Sequence, residues 1–258
     1  MRLRHDRRVM CFLLLALLLG VVKAHGQPME IVSYANYWAA IVVADEPDGG
    51  AVEAAGLLQR YIQRMTDHQL AIQTVTEYEK DPWQSPIAIC VGRSKLTDEM
   101  GIDVAQEAEG DDRYVLKTDA ERKRVAIVGN DGGDRRGSVY GVYDILERYG
   151  CGWYGTDPLW QIVPYTRHFS IAPVDVDERA AFRGRYIWLV NNRVLRDAWR
   201  MGGRSVNPGH ALGWVVSREK YFAEHPEHFG RIQPCLSNPA VMDIATELVA
   251  EQIGRAHV

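Results

Sequence analysis

The chain has 258 residues, 47% of them hydrophobic and 25% charged, and its 30 basic and 34 acidic side chains leave a net charge of −4. The first 26 residues carry five basic side chains and one acidic one, so the remainder stands near −8. That balance argues against nucleic acid or an anionic membrane surface as the main partner, because both reward basic patches.

The chain opens on a basic stretch, "MRLRHDRR", followed by the apolar run "VMCFLLLALLLGVV". The run is shorter than the ~18–20 apolar residues a membrane span requires. "KAHGQ" then places Ala24 and Gly26 where a signal peptidase reads small residues. Residues 1–26 are therefore predicted to be a secretory signal peptide, with a short membrane anchor as the alternative. Arg7-Arg8 resembles a twin-arginine signal, but the Leu-rich core fits the general secretory route better. No cysteine follows at the cleavage end, so a lipoprotein is not supported. The expected location is periplasmic or extracellular, with no integral membrane span after signal removal.

From Ile31 to Val43 the sequence reads as strand-rich and aromatic. A helix follows, with Val52, Ala55, Leu58, Ile62 and Met65 recurring on one face. "LAIQTV" and "IAICVG" are short apolar runs bounded by polar residues and proline, which predicts strands. "RYVLKTDAERKRVAIVG" predicts two strands joined at Asp119-Ala120-Glu121. The next helix carries Val139, Val142, Tyr143, Leu146 and Tyr149 on its core face. Alternating strands and amphipathic helices define an α/β layer.

Three cysteines lie beyond the leader: Cys90, Cys151 and Cys235. An odd count in an oxidising compartment gives no disulfide framework, and Cys90 reads as a buried strand residue. No Cys/His spacing predicts a structural zinc site. No metal and no cofactor is expected.

The glycines Gly129, Gly132, Gly133 and Gly137 miss the G-x-G-x-x-G spacing of a dinucleotide fold, and no Gly-Lys-Ser/Thr follows them. Asp131 and Asp134 would repel a phosphate there. The stretch is read as scaffold: a tight strand-to-helix turn, a helix cap at Asp134, and Gly137 with Gly141 letting the helix approach the sheet.

"AAGLLQRYIQRMTDHQLAI", "VAIVGNDGGDRRGSVYGVYDILERYGCGWYGTD" and "QIVP" resemble the N-terminal domain of bacterial α-glucuronidases, which is similar to the second domain of β-N-acetylhexosaminidases. The resemblance covers about Ile31 to Ala172 and is most specific in "GSVYGVYDILERYGCGWY". It implies an α/β layer packed against a catalytic barrel, with no chemistry of its own. "GHALGWVVSREKYFAEHPEHFG" and "CLSNPAVMDIATELV" resemble a related, functionally unassigned family of exported bacterial proteins in which that domain precedes a glycoside-hydrolase-like barrel. The short spacer "GRIQP" departs from that pattern.

The fold class expected is therefore α/β: a mixed-sheet α/β layer domain over residues 27–175, followed by an incomplete (β/α) barrel over 180–252. The tail "IGRAHV" reads as a translated sequencing adaptor, and the sequence is expected to be the front part of a longer protein. If "FRGRYIWLV" is barrel strand one, Asn191 and Asn192 lie at its mouth, where amides suit hydroxyl-rich ligands; the alternative is ordinary loop residues. The resemblance places a sugar-binding arginine at Arg183, with Arg185 or interdomain salt bridges as alternatives. Trp188 offers a stacking platform or a core residue. His210, in the matching segment, is the leading pocket residue, and Glu227 reads as structural. The expected partner is carbohydrate, a polysaccharide or oligosaccharide. Glycoside hydrolysis needs two facing carboxylates; no convincing pair precedes Val258, and the resemblance places them on later strands. The alternative is a non-catalytic glycan-binding protein of the surface or periplasm.

Overall fold

The computed structural model describes residues 27–34, 36–104, 111–133, 135–187, 190–203 and 212–255, with 212 and 252–255 as backbone alone. The expected leader, the expected cap Asp134 and the last three residues of the tail lie outside the described residues. The chain forms two compact units, Met1–Ser205 and Val206–Val258. No helix among the described residues is long and apolar enough to cross a membrane.

The first unit is a mixed α/β structure. It begins with β1 (Met29–Ser33), β2 (Asn36–Tyr37) and β3 (Ala39–Val43), then α1 (Gly49–Thr66), β4 (Ile72–Thr74), α2 (Val75–Lys80) and β5 (Ile87–Val91). α3 (Lys95–Asp98), β6 (Tyr114–Asp119), β7 (Arg124–Gly129) and α4 (Gly137–Arg148) follow. Short strands β8 (Gly152–Trp153), β9 (Gln161–Ile162), β10 (His168–Ile171) and β11 (Asp175–Glu178) wrap the connection. The central sheet has the order β11-β6-β7-β5-β3-β4. β4, β3, β5 and β7 run parallel, while β6 and β11 pair antiparallel.

The apolar runs "AAIVV" and "IAICV" are buried throughout, as strands covered on both faces must be. Ala39, Ile41, Ile87, Ile89, Val125 and Ile127 face α1 and α4 in the main core. Ala40, Val42, Ala88 and Cys90 face the other way, against Val75 and Leu96. The alternation gives three layers, with Cys90 a buried strand residue as its context predicts. The expected hairpin forms, with β6 and β7 in register from Tyr114↔Gly129 to Asp119↔Arg124.

Two local readings are corrected. Val52 does not belong to the core face of α1: it is 53% exposed, and Ala51, Ala54, Leu57 and Tyr61 are buried instead. "LAIQTV" is a strand only to Thr74, because Thr74 and Glu77 close a capping box that starts α2 at Val75.

The described residues of 183–187 and 190–203 belong to the first unit and close over α4. β12 (Gly184–Arg185) pairs antiparallel with β13 (Gly202–Gly203), and α5 (Arg193–Ala198) lies between them in sequence. Tyr140 Oη donates to Met201 O at 2.8 Å, and Trp199 Nε1 donates to Trp153 O at 2.8 Å. Arg200 pairs with Glu147 at 2.7 Å. Arg185 donates to the buried carboxylate of Asp112 and to Arg200 O at 2.6 Å. The compact unit therefore extends past residue 175, through the segment expected to open a barrel.

The second unit contains α6 (Leu212–Val215), α7 (Arg218–Tyr221) and α8 (Pro239–Arg255). A short 3₁₀ turn, Pro226–His228, stands between α7 and α8. Val216, Phe229, Val241 and Ala245 form its small core.

Candidate functional site

Three chain segments meet in the first unit around a cavity of about 810 Å³. The N-terminal turn of α1 contributes Asp48, Gly50 and Glu53; the loop from β7 to α4 contributes Asp131, Gly132, Gly133, Arg135 and Arg136. α5 contributes Arg193, Arg196 and Asp197, and the wall is completed by Met201 to Gly203. The loop from β7 to α4 lies at the carboxyl end of a parallel strand, the edge where α/β sheets bind their ligands.

Arg136 is the centre of the cavity's charge. Its guanidinium grips Asp197 through Nε and Nη2, both at 2.7 Å, and Glu53 through Nη1 at 3.1 Å and Nη2 at 2.8 Å. Arg193 adds a 2.7 Å contact to Glu53. The Arg136 hydrogen bonds hold the Glu53 carboxyl below the usual carboxylate range, against the opposing effect of burial. Glu53 and Asp197 thus share one guanidinium between them. They do not face each other across a gap, which the two carboxylates of a glycosidase must do. Arg196 lines the same cavity with no ion pair among the described residues.

Asp131 caps the start of α4. It accepts from Ser138 N at 2.8 Å and from Ser138 Oγ at 2.5 Å, while Ser138 Oγ accepts from Gly129 N at 2.8 Å. The side chain reaches α4 from the preceding loop, so the orphan N–H of the first turn is satisfied without a side-chain bond from Arg136, the residue at the cap position. Burial pushes the Asp131 carboxyl up to about 6, although the Ser138 hydrogen bonds pull the other way.

The folded chain therefore holds a proton that the unfolded chain, with an ordinary value of 3.8, releases between about pH 4 and pH 6. Stability from this group is full below about pH 4 and is lost as pH rises through about 6, by about 3 kcal/mol. Asp131→Asn is expected to flatten that slope. Urea midpoints at pH 4.5 and pH 7 check it, and an unchanged slope in the variant assigns the pH dependence elsewhere.

Of the residues chosen from sequence, those described do not line this cavity. Asn192 caps α5, accepting from Leu195 N at 3.0 Å, and its Nδ2 donates to Thr156 O at 3.3 Å. Asn191 and Arg183 are exposed. Arg185 makes the buried contact to Asp112 already described, a salt bridge within the first unit. Trp188 and His210 lie outside the described residues. The sequence reading did not single out Arg136, Glu53, Asp197 or Arg193. Arg136 lies 83 positions from Glu53 and 61 from Asp197, so no local pattern announces the cluster.

No protein-family profile matches the chain, and no curated protein does. Among solved structures, the chain is similar over 62% of its length to the GH20 β-N-acetylhexosaminidase of Streptomyces coelicolor A3(2), at 16% identity and a TM-score of 0.36. It is similar over the same share to the Streptomyces plicatus N-acetyl-β-hexosaminidase in complex with Thio-NAglucal, at 13% identity and a TM-score of 0.36. In each case the similarity spans 25% of the other chain.

Proposed function

We propose that this chain is the N-terminal portion of an exported glycoside-hydrolase-like protein, of α-glucuronidase or hexosaminidase type, acting on polysaccharide or other glycan. In this reading the α/β unit is a packing layer for a (β/α) barrel that begins near residue 180. The catalytic carboxylates belong to sequence beyond residue 258.

One observation carries the reading. Gly129, Gly137 and Gly141, the last two inside the most specific stretch of the resemblance, are packed tightly between α4 and the sheet, and buried Asp131 caps the helix beside them. These three glycines hold helix against sheet. That supports a scaffold role for the unit and moves the chemistry elsewhere.

The test is to recover the reading frame past residue 258 and assay the whole protein on aryl glycosides and uronic-acid-containing oligosaccharides. Hydrolysis that disappears when a pair of strand-end carboxylates is changed to amides is the expected result. A second reading, glycan binding without catalysis, is favoured by Tyr154, Trp160 and Tyr165, which are 65%, 60% and 61% exposed. Exposed aromatic faces suit sugar stacking. Saturable oligosaccharide binding by a whole protein that releases no sugar would replace the first reading with the second.

A further inference from the structure

The second unit carries a side-chain group of which the sequence reading took up only Glu227, as structural. His225, Glu227 and His228 each offer one ligand atom, and these atoms lie within 4.8 Å of one another. His225 Nδ1 is 3.1 Å from Glu227 Oε1, and His228 Nε2 is 3.7 Å from the same oxygen. Two imidazoles and one carboxylate form a donor set that suits zinc and neighbouring transition cations better than magnesium or calcium.

The backbone that carries these donors is fixed from both sides. His225 N donates to Tyr221 O at 2.9 Å, and His228 N donates to His225 O at 3.1 Å, closing the turn around Pro226. Cys235 N donates to His228 O at 2.8 Å, and Asn238 Nδ2 donates to Glu227 O at 3.2 Å. Phe229, the next residue, is buried in the unit's core. The donors therefore stand on a rigid segment, the condition for a metal site with little ordering cost.

His228 differs from the other two donors in its burial. His228 is 6% exposed, and its Nδ1 is buried with no hydrogen-bond partner. The other ring nitrogen, Nε2, is the one that faces Glu227 and is the atom offered to a metal.

We propose that His225, Glu227 and His228 bind one divalent transition cation, zinc being the probe of choice, with solvent completing its coordination. The exposed His225 and Glu227 leave the outer side of the site open to water, the arrangement of a site with a free position. The two imidazole rings are now stacked, with centroids 4.6 Å apart and planes 13° from parallel. A metal lies near the plane of each imidazole it binds, so the half-exposed His225 ring turns out of the stack on binding while the backbone stays.

The experiment is a zinc titration of the full chain without an affinity tag, in competition with a chromophoric zinc indicator, with imidazole NMR signals followed in parallel. One zinc per chain at micromolar concentration, with the His225 and His228 signals shifting together, is expected. H225A and E227Q alter exposed side chains, and each should weaken binding by about tenfold or more, since even outer-shell losses reach that size. H228A risks the fold and is a supporting variant only. C235S is the control: its thiol is engaged with Ser237 at 3.1 Å and it should bind as the parent does. Zinc uptake that is absent, or that survives the H225A/E227Q double variant at parental affinity, overturns the proposal.

Discussion

Gly137→Ala is expected to leave the α/β unit unfolded under conditions where the parent is native. A Cβ at position 137 would sit 2.4 Å from Arg113 O, 2.4 Å from Asn130 N and 2.8 Å from Gly129 Cα. A Cβ at Gly129 would meet Gly137 C and Ser138 N at 2.0 Å, and one at Gly141 would meet Ile127 Cγ2 at 2.9 Å. The first two clashes are with backbone, which has no rotamer to change. Relief requires moving the start of α4 away from β7, which breaks the Asp131–Ser138–Gly129 hydrogen bonds at the same time. Overpacking a core costs about 1–3 kcal/mol when side chains give way, and here they cannot. The loss should exceed about 3 kcal/mol, a large share of the 5–15 kcal/mol typical of a domain. Circular dichroism and urea titration check it. Gly141→Ala, which meets side-chain atoms and no backbone, should be milder, and equal effects at the two positions would refute the backbone argument.

Arg136→Ala should be the most damaging single change on the cavity wall. The side chain of Asp197 is 7% exposed and loses its bidentate partner, and Glu53, 38% exposed, loses the same cation. Breaking a buried pair by removing one member typically costs 3–5 kcal/mol, because the other charge is left uncompensated. Arg193 remains, 2.7 Å from Glu53 and 3.7 Å from Asp197, which places the expected loss near the lower figure. For a unit of this size that is a fall in Tm of roughly 10 °C. Arg136→Ala combined with Asp197→Ala should cost less than the sum of the two single changes. Simple additivity would show that the two groups are solvated independently.

The features legible in sequence are those fixed over short range. The continuous apolar runs of β3 and β5, the charged turn between β6 and β7, and the helical spacing of α4 all state their structure locally, and the mixed α/β class follows from them. The error at Val52 arose because α1 packs through small residues, Ala51 and Ala54, whose contribution to a hydrophobic pattern is weak. The strand predicted through Val75 had a visible counter-signal in Thr74 and Glu77, spaced as a capping box. The cavity was not legible. Its charges come from three segments that only the folded sheet brings together, and its central arginine sits in a loop read for its glycines. The same attention to glycine passed over Asp131, whose carboxylate bonds Ser138 across seven positions.

The closure of residues 183–203 over α4 bears on how the molecule is made. A chain leaving the ribosome N-terminus first can form the β6–β7 hairpin and lay α4 on the sheet early. Arg193 meets Glu53 only across 140 positions, and Asp112 and Arg136 likewise wait for Arg185 and Asp197. Until synthesis has passed residue 203, these groups stay in water and the unit stays open. A translational pause before that point holds the nascent unit incomplete, with β6 still an unpaired edge if the pause falls before β11 emerges.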